Sequence, residues 1–290
     1  MKLLFRWPWL VALGVGLGAW ALAGRSEVGA WIGGAALANV EGTIARAKAA
    51  GITRLDLFVN DASDDLTNGP IAFHVYDHAR VSAAVAAFQA AGLRVSLSTW
   101  ATPRADWLAG MRQIGALAAS VGADELIFDL EEPWTVLRHH GAAAIAAATR
   151  DLFDNARAGG FAGKLGVTCI VSADLDVLGP ALKAADLILP QAYASARNTA
   201  GMVAGELERR AAARYQPFKR ELVLGLAAFV NPARPDRGLP GYGLRTPAES
   251  LAASLAGARS AGVRRVRLWW LPTLDQAMTA TVSAFAKGGA

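Results

Sequence analysis

From Glu27 onward the chain alternates two hydrophobic patterns. Short runs rich in β-branched and aromatic residues give way to Ala-rich runs with helical spacing, and the pair recurs to the end. Strands are predicted near 28–32 (VGAWI), 54–60 (RLDLFVN), 93–100 (LRVSLSTW), 124–131 (DELIFDLE), 165–172 (LGVTCIVS), 186–193 (DLILPQAY), 221–229 (ELVLGLAAF) and 264–271 (RRVRLWWL). Helical spacing marks the segments between them, among them 38–50, 79–91, 105–120 and 142–158. Gly51, Gly92, Gly122 and Gly262 each stand between a helical run and the next strand, where glycine accepts the left-handed conformation of a helix C-cap. The connections from strand to helix are longer and more polar: 60–78, 100–105, 131–141 and 230–247. Eight strand-helix repeats predict a parallel sheet closed into a single (β/α)8 TIM barrel, with its site on the loops that follow the strands. An open doubly wound sheet is the alternative, but no Gly-rich phosphate loop follows the first strand.

Before Glu27 the pattern is different. Lys2 and Arg6 precede an apolar run from Trp7 to Ala23, and Ala21-Leu22-Ala23 is a small-x-small site. Residues 1–24 therefore read as a signal peptide, with an uncleaved membrane anchor as the other reading, and residues 25–290 as one barrel domain. Both readings place that domain outside the cytoplasm, secreted or periplasmic, with membrane contact only through residues 7–23 if they are uncut.

Composition changes the picture little. The 290 residues are 53% hydrophobic, much of it Ala and Gly, and Cys169 is the only cysteine, so no intramolecular disulfide forms. Without residues 1–24 there remain 27 basic and 24 acidic residues, a net +3 with no basic block. Nucleic acid is not an expected partner, since that needs Lys and Arg clustered on one face. A monomer is expected, with no cofactor.

The fourth strand carries the candidate chemistry. In LIFDLE, Leu126, Phe128 and Leu130 share one face, suited to the helices, while Ile127, Asp129 and Glu131 point into the barrel. Two desolvated carboxylates at the mouth would raise one pKa, as a general acid requires. In the blander reading a neighbouring Ser, Thr or backbone donor holds Asp129 and Glu131 merely ends the strand. Glu132 has the opposite phase and suits the rim. Asp56, early in strand 2, reads as a buried hydrogen-bonded group.

FDLEEPW resembles the DxE end of the strand-4 motif in family 18 glycoside hydrolases, the chitinases and related endoglycosidases, and also the DxE of family 25 lysozymes. LILPQAYA is similar to the family 18 segment in which a tyrosine follows strand 6, and RLWW to the strand-8 segment that supplies a tryptophan floor. Leu126, Ile127, Phe128 and Ala194 depart from the family, which has further Asp and Gly residues before the DxE and often Asp after the tyrosine. In outline the resemblance covers residues 28–286. It implies that Glu131 protonates the glycosidic oxygen and later activates water. Asp129 would orient the substrate's acetamido group, whose carbonyl oxygen attacks the anomeric carbon, and Tyr193 would hydrogen-bond that group. No separate carboxylate nucleophile is then needed.

Aromatic residues at the strand ends suit a sugar cleft, because indole and phenol faces stack on pyranose rings. Trp31, Trp100, Trp134, Trp269 and Trp270 are candidate substrate contacts, with parity leaving open which of the last two points inward; Gln191 and Tyr242 join them. The adjacent His139 and His140 point different ways and do not make a metal site, and Asp61, Asp64 and Asp65 lack calcium-loop spacing. The Pro- and Gly-rich loop 231–247 is expected to wall the cleft. Together these readings describe an exported glycosidase acting on N-acetylated amino-sugar polymers, peptidoglycan or chitin-like. A catalytically dead carbohydrate-binding barrel and a hydrolase of non-acetylated glycans are the rivals.

Overall fold

The computed structural model describes residues 26–60, 73–230 and 237–288. The predicted leader 1–24, Asp61, Asp64, Asp65 and the first part of the 231–247 loop lie outside them. The described strands are β1 (Glu27–Ile32), β2 (Arg54–Phe58), β3 (Arg94–Trp100), β4 (Glu125–Asp129), β5 (Lys164–Ile170), β6 (Leu187–Ala192), β7 (Glu221–Leu222), β8 (Leu224–Ala227) and β9 (Arg265–Trp269). The short β7 and β8 are two halves of the predicted seventh strand, interrupted at Val223. All pairings are parallel, and the β5–β6 pairing closes the ring. Among the described residues eight α-helices follow in turn: α1 (Val40–Ala49), α2 (His78–Ala90), α3 (Ala105–Ser120), α4 (Gly141–Ala158), α5 (Leu175–Ala184), α6 (Glu206–Tyr215), α7 (Pro247–Ser260) and α8 (Gln276–Ala286). The protein is a (β/α)8 barrel. The four cap glycines, Gly51, Gly92, Gly122 and Gly262, all take positive φ, between 62° and 82°. No helix among the described residues is long and apolar enough to cross a membrane.

Strand alternation divides the core in two. Leu126, Phe128 and Leu130 lie in the layer between barrel and helices, where Phe128 meets Phe153 of α4 with ring centroids 5.4 Å apart. Ile127 belongs to a separate cluster inside the barrel with Trp31, Leu187, Leu189 and Val223. Glycines make room for these bulky side chains. A Cβ at Gly225 would stand 3.1 Å from the Trp31 ring, and one at Gly166 would stand 2.6 Å from Ile127.

Beneath this apolar belt the barrel is closed by charge. Arg54 and Arg267, both fully buried, and the largely buried Arg265 converge from β2 and β9 on Glu27 of β1 and Glu125 of β4. Arg267 lies 2.9 Å from Glu27, 3.1 Å from Glu125 and 2.6 Å from Asp56. Asp56, expected as a buried hydrogen-bonded group, is fully buried against Arg267, and burial outweighs that guanidinium so that its pKa is raised. Ser96 links the network, accepting from Arg54 at 2.9 Å and donating to Glu125 at 3.0 Å. Gly29 is required here, since a Cβ would come within 2.5 Å of the Arg267 side chain. Burial by itself would raise the pKa of Glu27 and Glu125, but Arg267, Arg54 and Arg265 outweigh it and bring both down to about 2.

Two outcomes follow. Arg267→Met should destabilise the fold by about 3–5 kcal/mol in urea unfolding, because Asp56 and Glu125 lose a buried counter-ion. Since Glu27 and Glu125 titrate lower in the folded than in the unfolded chain, their contribution is present above about pH 4.5 and lost as pH falls toward 2. Melting temperatures measured across that window should fall steeply in the native protein and less steeply in Glu125→Gln.

Candidate active site

The C-terminal ends of β1 to β4 and β9 surround a cleft of about 810 Å³. Asp129 and Glu131 both line it, together with Phe58, Trp100, Trp269 and Trp270. β4 ends at Asp129, yet the chain stays extended at Glu131 (φ −111°, ψ −152°) before turning at Glu132 into the 3₁₀ segment Glu132–His140. That extra extended residue keeps Glu131 in phase with Asp129. Glu132 sits exposed at the cleft edge, as its phase predicts.

Asp129 is buried and accepts a hydrogen bond from the Gln191 amide at 3.0 Å. Gln191 also donates to Thr168 at 3.3 Å, and Thr168 in turn donates to the Leu189 carbonyl at 2.7 Å. The amide thus bridges β5, β6 and β4, so Gln191 positions the carboxylates from below instead of lining the cleft. Burial raises the pKa of Asp129 well above the carboxylate range, and the charge of Glu131 raises it further; the Gln191 bond acts in the opposite sense. Glu131 is raised as well, first by burial and then by Glu132, again against a bond from Gln191. These are the conditions for a carboxyl that keeps its proton near neutral pH. The group that holds Asp129 is the Gln191 amide and not the Ser, Thr or backbone donor of the blander sequence reading, and both carboxyls face the cleft.

Tyr193, two residues past Gln191, is half-buried with its ring 6.4 Å from Trp269 and 6.3 Å from Phe229. Burial first, then the charges of Asp129 and Glu131, raise the pKa of its phenol, which stands behind Trp269 and not among the residues that line the cleft. Trp269 and Trp270 both border the cleft, stacked at 5.6 Å and 20° across a cis peptide bond, which answers the parity question in favour of both. Trp100 is the register neighbour of Asp129. It stands edge-on to Trp107 at 5.4 Å, and the Asn60 amide bonds both its N–H and its carbonyl at 3.0 Å.

Besides Gln191 and Tyr193, three more candidates are displaced from the cleft. Trp31 is 1% exposed and pairs in register with Asp56, a layer too deep for its ring to meet a ligand. Trp134 is fully buried on the helical side, where its indole donates to the Ala101 carbonyl at 2.8 Å; the turn begun at Glu132 and Pro133 carries it away from the mouth. Tyr242 directs its hydroxyl to the buried Glu208 of α6, so the described part of the 237–246 loop is fastened to the helices at that point. His139 and His140 are exposed, and no metal-ligating cluster occurs among the described residues. Sequence reasoning missed Asn60 as a cleft residue, and also Tyr76, Asp77 and Arg80, which the β2–α2 connection and the start of α2 bring to the cleft.

No family model matches the sequence, and no curated protein matches it. Solved structures do match in fold. A GH113 β-1,4-mannanase superimposes with a TM-score of 0.63 at 10% identity, over 90% of this chain and 98% of the other. A chitinase from Chromobacterium violaceum ATCC 12472 gives 0.56 at 13%, over 91% and 98%. The xylanase and α-amylase inhibitor protein XAIP-II from Scadoxus multiflorus gives 0.53 at 13%, over 91% and 97%. The fold class is thus shared by glycoside hydrolases and by an inhibitor protein, and likeness at these identities defines architecture alone.

The hydrogen bonds from Gln191 favour the ionised carboxylates, so Gln191→Met should move the titration of Asp129 and Glu131 to still higher pH. Carboxyl ¹³C chemical shifts followed against pH in both proteins measure this; unmoved midpoints would deny Gln191 its positioning role.

Proposed function

We propose that the protein is a retaining glycoside hydrolase that cleaves N-acetylated amino-sugar polymers by substrate-assisted acid/base catalysis. The observation that carries this reading is the Asp129–Glu131 pair: two carboxyls in an aromatic cleft, far from the arginine network, with both pKa values raised. The likeness to a chitinase and a mannanase on the same fold supports it. Glu131, protonated, gives its proton to the glycosidic oxygen as the bond to the anomeric carbon breaks. The acetamido oxygen of the same sugar closes on that carbon, and Asp129 takes up the acetamido N–H. Glu131, now ionised, removes a proton from the water that opens the cyclic intermediate, which restores the acid. Trp100, Trp269 and Trp270 hold sugar faces.

A carboxylate nucleophile is the competing chemistry, and the described strand ends argue against it. Ile170, Ala192, Ala227 and Trp269 close β5, β6, β8 and β9, so these positions offer no carboxylate. Asp77 does border the cleft, but its carboxylate caps α2 by accepting from the Arg80 N–H at 2.8 Å. A purely carbohydrate-binding barrel would have no use for a protonated Glu131. Export to reach an extracellular polymer agrees with the N-terminal pattern of the sequence.

Glu131→Gln should fold normally and lose about 10²- to 10⁴-fold in kcat on chitin or cell-wall oligosaccharides, the span typical of a lost general acid. Because Glu131 must be protonated in the first step, native activity should fall as pH rises through its elevated pKa, so the alkaline limb lies above the ordinary carboxylate range. Thiazoline mimics of the cyclised intermediate should inhibit. Full activity in Glu131→Gln removes it from the mechanism, and indifference to thiazolines points to a carboxylate nucleophile instead.

A further inference from the structure

We infer that Arg80 gives the cleft a subsite for a carboxylate carried by the glycan, so that the preferred substrate is an N-acetylated amino-sugar polymer with free carboxylates, such as a peptide-free glycan strand, rather than a neutral one. This inference rests on the hydrolase reading above and narrows its substrate class. Of the charged residues that line the cleft, Asp77, Asp129, Glu131 and Glu132 are acidic and Arg80 is the cation. Arg80 occupies the first turn of α2, and its backbone N–H is already taken by Asp77. Among the described residues its exposed guanidinium has no ion-pair or hydrogen-bond partner, whereas the arginines of the barrel floor are all engaged by carboxylates.

The placement relative to the acid matters. Glu131 follows β4 and Arg80 follows β2, with Trp100 of β3 between them. Arg80, Trp100 and Glu131 line the same cleft, so a sugar stacked at Trp100 would present its substituents to Arg80 while the scissile bond stays at Glu131. A guanidinium binds a carboxylate through two parallel hydrogen bonds, a geometry that a neutral hydroxymethyl or hydroxyl cannot reproduce. Asp77 does not compete for that role, being committed to the helix cap, and Glu132 stands on the opposite, β4 side of the opening. An N-acetylated glycan whose alternate sugars bear a lactyl ether carboxylate meets both requirements: an acetamido group for Asp129 and an anion for Arg80.

Binding separates this inference from catalysis. The inactive Glu131→Gln protein is titrated calorimetrically with a tetrasaccharide of alternating N-acetylglucosamine and N-acetylmuramic acid, and with the same tetrasaccharide amidated at its carboxyls. The acidic ligand should bind about tenfold more tightly, and the ratio should shrink as salt rises. Adding Arg80→Gln should bring the ratio close to one, and Arg80→Lys should retain part of it. Equal affinities in the first titration, or a preference that survives Arg80→Gln, overturn the inference. Turnover of the acidic tetrasaccharide by the native protein reads the hydrolase assignment separately. Cleavage with no carboxylate preference leaves that assignment standing, absence of binding and cleavage of the acidic tetrasaccharide overturns this inference, and only inactivity on chitin oligosaccharides as well removes the hydrolase assignment.

Discussion

Taking a carboxylate out of water is the costly step that organises this barrel from end to end. Where guanidinium groups are in reach, at the N-terminal ends of the strands, burial yields stable ions: Glu27 and Glu125 are held at about 2 by three arginines. Where none is in reach, at the opposite end, burial prevails over the hydrogen bond from Gln191 and the pKa values of Asp129 and Glu131 rise. One strand, β4, carries both outcomes, with Glu125 at its start and Asp129 at its end. Three residues of extended chain, Leu126 to Phe128, separate the ionised Glu125 from the raised carboxyl of Asp129, and the apolar belt of Trp31, Ile127, Leu187, Leu189 and Val223 insulates one from the other.

That insulation explains why the interior can be so polar at its base without quenching the mouth. A guanidinium near Asp129 would lower its pKa and remove the protonated form. The belt keeps Arg267 among Asp56, Glu125 and Glu27, and Gly29 gives its side chain the space to lie there. At the mouth the only polar support under the carboxyls is neutral, the Gln191 amide and the Thr168 hydroxyl. Neutral support fixes geometry and only partly offsets the upward shift that burial gives both carboxyls.

Much of this was legible in the sequence because strand parity is rigid. The period of two assigned Ile127, Asp129 and Glu131 to the interior and Leu126, Phe128 and Leu130 to the shell, as the two clusters show. The cap glycines marked where helices end, since few other residues accept that φ. Parity, however, gives a face and not a depth. Trp31 has the inward phase expected of a cleft residue, yet lies one layer below the opening. Parity also lapses once a strand ends, so Trp134, beyond Pro133, was misjudged, and Tyr242 sits in a loop with no period at all. The arginine network left a readable trace in the alternation of Arg265 and Arg267 and in Arg54 beside Asp56, charges in phase at the starts of otherwise apolar strands. Arg80 left none, because a cation in the first turn of a helix looks like any solvated residue until the fold sets it beside the acid.

The sealed base has a further consequence for traffic. Arg54, Arg267, Glu27 and Glu125 fill the axis and Trp31 lies above them, so the barrel is a cup and not a tube. Anything that enters past Trp100 and Trp269 must back out by the same opening. Under the hydrolase reading proposed above, solvent would come from that side as well, and an incoming chain and outgoing fragments would contend for one doorway framed by the aromatic rim.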